Sequence, residues 1–184
     1  IPGGRAHEIF TECLYDIDAA LQFLQGRGVI EVCLQGHSSG ANKVVFYQYH
    51  RKSRNVRALI LLSPNDDIGL QEHARGDRFE DVLEIARALV KARRGHELMP
   101  EGPSYPISAN SYLDYFGPES SADIFPYRDP QAKFEEVSTL RCCLLVLFAG
   151  RGEYLLGNLD ETLDLLRSKA IASPRVDVGI IDGA

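Results

Sequence analysis

The segment Val32-Cys33-Leu34-Gln35-Gly36-His37-Ser38-Ser39-Gly40-Ala41-Asn42-Lys43 constrains this chain more than any other. The run Val29–Gln35 reads as a short apolar strand and Ser39–Arg51 as a helix, with almost nothing between them. A chain that passes so abruptly from strand to helix must bend sharply. The bend puts Ser38 in strained dihedrals with its hydroxyl in the open. Gly36 and Gly40, two residues to either side, are expected because neighbouring backbone comes too close there for a β-carbon. The helix would turn its positive end toward Ser38, and the Ser39 amide would be its first donor to an oxyanion. An inert glycine-rich turn is the other reading of the same five residues.

The remaining pattern is an alternation of strands and helices, which argues an α/β fold. His7 to Gln25 carries apolar residues at helical spacing and is stopped by Gly26 and Gly28. Val56–Leu62 and Cys142–Phe148 read as buried parallel strands, Asn158–Ala170 as a helix and Val176–Ile181 as a fourth strand. Between them, residues 68–139 have another texture: a helical stretch at Phe79–Arg94 followed by proline-rich loops. Insertions of this length in a compact domain are usually functional, so 68–139 is expected to form a cap or lid over the carboxyl edge of the sheet. Covering one face of the sheet is the plainer alternative. Tyr105, Tyr112, Tyr115, Phe116 and Phe125 would line an acyl or aromatic pocket there or pack the cap's own core.

Composition narrows the function classes. The 184 residues suffice for one domain, and 45% hydrophobic with 25% charged residues is ordinary for a globular protein. Lys+Arg number 20 against 26 Asp+Glu, a net charge of −6, which argues against a nucleic-acid partner. No apolar run approaches the roughly 20 residues of a membrane helix, so no membrane partner is expected. Four cysteines, two adjacent at Cys142-Cys143, supply neither a disulfide framework nor a metal-ligand pair, and Cys33, Cys142 and Cys143 are expected to behave as small hydrophobes. A reducing, cytoplasmic setting is the expectation, with no metal and no cofactor. Basic clusters at His50-Arg51-Lys52 and at Lys91, Arg93 and Arg94 suit helix ends, and the second would also attract an anionic substrate.

The strand–turn–helix with Gly36-His37-Ser38-Ser39-Gly40 resembles the nucleophile elbow of the α/β-hydrolases, and the resemblance runs from the first helix to the last strand. Gly-His-Ser-Ser-Gly-Ala-Asn-Lys is further similar to a subgroup of uncharacterised hydrolases that includes fungal siderophore esterases. The resemblance implies a three-layer sandwich on a mostly parallel sheet, incomplete in that only its late strands are present, with a helical cap inserted. Residues 1–184 would then be a partial domain, shortened at both ends and unstable alone. It also implies Ser38 as nucleophile, the Ser39 amide in the oxyanion site and an acid after a later strand. Glu153 in Gly150-Arg151-Gly152-Glu153 fits that place, and Asp66 or Asp67 is the rival. The acid would orient a base histidine, yet none of the five histidines lies where the family puts it, after the last strand. The implied activity is hydrolysis of a small-molecule carboxylic ester through an acyl-enzyme. The alternative is a non-catalytic relative that binds a small molecule or partner.

Overall fold

A computed structural model of the chain describes residues 4–151 and 156–183. The chain forms two compact units, Cys13–Asp66 with Ile124–Ala184, and Ile1–Glu12 with Asp67–Asp123.

The first unit carries a four-stranded parallel sheet. Its strands are β1 (Val32–His37), β2 (Val56–Leu62), β3 (Cys143–Ala149) and β4 (Val176–Ile181), in the order β1-β2-β3-β4. Helix α1 (Cys13–Gln25) precedes β1, and α2 (Ser39–Arg51) crosses from β1 to β2. Each strand is reached from the one before it through a crossover, as parallel pairing requires. The two inner strands hold the core, with Leu59, Leu61, Leu144, Val146 and Phe148 buried, as are Val45 and Tyr47 of α2. The hydrogen-bond ladder continues past the strands at their carboxyl ends. The Ser38 amide donates to Leu62 O (2.9 Å), the Ser63 amide to Leu147 O (2.7 Å) and the Gly150 amide to Ile181 O (3.0 Å).

The second unit is helical. It contains α3 (Asp67–Arg75), α4 (Phe79–Lys91) and α5 (Ala109–Phe116). Its core holds Phe10, Val82, Ala86, Ile107, Tyr112 and Phe116. Two further helices complete the sheet-bearing unit, α6 (Glu135–Thr139) and α7 (Leu159–Lys169). No helix among the described residues is long and apolar enough to cross a membrane.

Several elements differ from their expected bounds. The helix expected over 7–25 starts only at Cys13, behind 3-10 turns at Arg5–His7 and Phe10–Glu12. Tertiary contacts explain the interruption: the Phe10 amide donates to the Asp114 carboxylate (2.6 Å) and its fully buried ring meets Tyr115 edge-on. The strand expected at Val29–Gln35 is displaced to Val32–His37, because the Val29 amide closes the end of α1 on Leu24 O and Ile30 lies in solvent. The third strand is likewise shifted by one residue, and α4 stops at Lys91 rather than Arg94. Cys33 is exposed, not a buried hydrophobe, since it sits on β1, which among the described residues pairs only with β2. Cys142 is buried, and burial raises its thiol to about 11.

Candidate active site

Gly36, next to last in β1, has no room for a side chain. A β-carbon there would lie 2.1 Å from Gly40 O and 2.5 Å from the Ala41 amide nitrogen, both rigid helical backbone. The bare Cα lets the start of α2 fold tightly back on the strand. At Gly40 the expected crowding is absent: among the described residues nothing lies within 4 Å of a β-carbon built there. The two glycines face each other, so the space missing at Gly36 is filled by Gly40 itself.

Ser38 sits at the bend with φ 55° and ψ −131° and is half-buried. This conformation is rare and costly for a residue with a side chain, on the order of 1–3 kcal/mol. The surroundings hold it there. The Ser38 amide is bonded to Leu62 O on β2, and its carbonyl accepts the Ala41 amide (2.8 Å). Ser39 is the first residue of α2, so its amide belongs to the positive end of that helix. A second non-glycine residue at positive φ, Ser63 (44°), follows β2, and its hydroxyl accepts the Ala149 amide (3.3 Å). Strained serines thus follow two neighbouring strands at one edge of the sheet.

The hydroxyl of Ser38 donates to Asn65 Oδ1 (3.3 Å). Asn65 is buried, and its backbone carbonyl accepts from Nδ2 of the fully buried Asn42 on α2 (3.1 Å). Sequence reading passed over both asparagines. It weighed the carboxylates beside Asn65, whereas an amide that bonds the elbow from the next strand has no distinctive spacing.

The candidate acids are placed unequally. Asp66 is buried and both of its carboxylate oxygens are engaged by Arg128, one by the guanidinium and one by the backbone amide (3.0 Å). Asp67 opens α3 in the helical unit. Glu153 lies outside the described residues. His37 is exposed at the end of β1. His50 is twelve residues from Ser38 at the far end of α2, roughly 17 Å along the helix axis. It packs on Phe46 (4.2 Å between ring centroids), and burial, followed by the nearby Arg51 and Lys52 charges, lowers its basicity. His7, His73 and His96 belong to the helical unit.

Of the aromatic residues expected to line a pocket, Tyr112, Tyr115, Phe116 and Phe125 are buried in packed cores. Tyr105 is half-buried under the Arg5 guanidinium, 3.6 Å from the ring centroid. Among the described residues, no cluster of three or more His, Cys, Asp or Glu side chains has the grouping to hold a metal ion.

Solved structures share this fold. The chain matches a monoacylglycerol lipase of Paleococcus ferrophilus at TM-score 0.59 and 16% identity, covering 100% of this chain and 69% of that one. It matches a protein described as an alpha/beta hydrolase fold protein of unknown function at TM-score 0.61 and 19% identity, covering 91% and 59%. A soluble variant of the monoglyceride lipase of Saccharomyces cerevisiae matches at TM-score 0.57 and 12% identity, covering 95% and 60%. At such identities the likeness is one of fold: the parallel sheet with its flanking helices is a partial α/β-hydrolase core. The chain spans between 59% and 69% of the lengths of these three proteins. No curated protein matches it. The family described as "Protein of unknown function (DUF1749)" matches residues 14–184, the sheet and the elbow together, and the chain belongs to that family.

Proposed function

We propose that this chain carries the nucleophile of a serine hydrolase that cleaves small-molecule carboxylic esters through an acyl-enzyme on Ser38. One observation carries the reading: Ser38 is held at φ 55° and ψ −131°, between a parallel strand and a helix that a glycine allows to close. Backbone strain of this kind persists where the surrounding structure imposes it, and it concentrates at functional sites. The enzymes named among the structural matches, two of them monoacylglycerol or monoglyceride lipases, support the reaction class.

On this reading the Ser38 oxygen attacks the ester carbonyl carbon while its proton passes to a base histidine. The negative charge that develops on the carbonyl oxygen is met by the Ser39 amide at the positive end of α2. Collapse of the tetrahedral species breaks the bond to the alkoxy oxygen, which leaves as the alcohol with the proton held by the histidine. Water, deprotonated by the same base, then releases the acid and restores Ser38. Glu153 orients the histidine. Asp66 is the weaker candidate, because Arg128 already engages both of its oxygens. No cofactor enters this chemistry.

The test is Ser38→Ala in the full-length protein, read with p-nitrophenyl esters of graded acyl length and a fluorophosphonate label. Turnover is expected to fall by about three orders of magnitude or more, with an unchanged thermal transition. Near-wild-type turnover in the variant would end the assignment. A wild-type protein that neither turns over esters nor takes the label would instead favour the non-catalytic binding role.

A further inference from the structure

The end of the sheet away from Ser38 holds a second concave feature. An open groove of about 1250 Å³ lies in the sheet-bearing unit, where β2 and β3 begin. Strand β2 alone separates it from the elbow edge by roughly 20 Å. The groove is lined by Lys52, Arg54, Arg57 and Arg141, with Glu135 as its one carboxylate. Four cations around one cavity are out of keeping with a chain of net charge −6.

The local structure accounts for only part of this charge. Lys52 closes α2, where a cation answers the helix dipole, and Arg57 lies 3.4 Å from Glu31. Arg54 and Arg141 are exposed, and among the described residues neither makes an ion pair or a side-chain hydrogen bond. Gln48, in the same wall, is more than nine-tenths buried. Its Nε2 donates to Ser53 O (3.1 Å), while its Oε1 has no hydrogen-bond partner among the described residues. A buried acceptor without a donor costs stability unless something supplies one.

We propose that this groove is a binding site for a small molecule that carries two or more phosphate groups. Guanidinium groups match phosphate geometry with paired donors, and the Lys52 ammonium adds a point charge. The cavity exceeds the roughly 300–1,000 Å³ of common small-molecule sites, which leaves room for a ligand of nucleotide size.

The test is calorimetric titration of the full-length protein at physiological ionic strength with tripolyphosphate, with ADP and with a hexaglutamate peptide. Saturable one-to-one binding of both phosphate compounds is expected. The Arg54→Glu/Arg141→Glu variant should weaken tripolyphosphate binding by about tenfold or more. An Arg27→Glu/Arg167→Glu variant, which reverses equal charge at exposed positions of the same unit outside the groove, should leave it unchanged. Should the first variant fail to fold, Arg54→Gln/Arg141→Gln serves in its place. No saturable binding, equal losses in the groove and control variants, or a preference for hexaglutamate would each overturn the proposal.

Discussion

Asn65 shows what a single side chain adds at this edge of the sheet. Its amide oxygen takes the Ser38 hydroxyl, while its backbone carbonyl takes Asn42. Asn65→Ala removes the first contact and spares the second, because the carbonyl survives the substitution. If Ser38 is the nucleophile, kcat should fall about three- to tenfold with KM within about twofold, the scale of one modest hydrogen bond. Active-site titration separates this effect from a loss of folded protein, and an unaltered rate of fluorophosphonate labelling would show Asn65 to be idle. Residues of this kind were invisible in the sequence. Ser38 announced itself by its glycines, whereas Asn65 matters only because β2 ends one strand away. Asp66 was legible as an acid, but its burial and its clamp to Arg128 belong to a contact across 62 residues of chain.

Among the elements, the passage from β1 to α2 is the most exacting, and its tolerance can be measured. In Gly36→Ala the new methyl group would meet Gly40 and Ala41 backbone at 2.1 to 2.5 Å, and neither can yield without opening the helix. The expected cost is about 3 kcal/mol or more, read from denaturant midpoints, with labelling at Ser38 lost in parallel. Gly40→Ala, whose β-carbon meets nothing within 4 Å among the described residues, should be far milder; equal losses would show that the crowding lies elsewhere. The strands and the longer amphipathic helices could be read from periodicity, because half-buried elements repeat every two residues and buried helical faces every three or four. Helices α3, α5 and α6 escaped that reading. They have nine, eight and five residues, too few turns for a pattern to emerge, and α5 is flanked by proline- and glycine-containing loops. The start of α1 failed for another reason, since Phe10 obeys the helical pattern yet is taken into the other unit's core.

For the molecule as a whole, alkaline pH is the natural probe. Burial lifts the Tyr112 hydroxyl to about 12, and burial together with the bond to Asp18 does the same for Tyr47. In the unfolded chain both ionise near 10, so above that pH the unfolded state binds fewer protons than the folded one and is favoured. Stability should therefore hold level up to about pH 9.5 and fall between roughly pH 10 and 12. A level denaturant midpoint across that interval would contradict these assignments. Tyr112 also has a buried hydroxyl without a hydrogen-bond partner among the described residues. Tyr112→Phe should thus gain about 1 kcal/mol at neutral pH and lessen the alkaline loss. At this scale the fold class was readable, because alternating strands and helices admit few architectures. The joining of residues 4–12 to the helical unit was not, since the rest of that unit begins more than fifty positions away. One feature of the sheet reaches beyond its own stability. Successive amides at Ser38, Ser63 and Gly150 fasten each strand end to the next, so the four termini form a single stitched hem. Each strand end is thereby held in register with its neighbour, so the backbone on which Ser38 rides is braced from β2, and β2 in turn from β3.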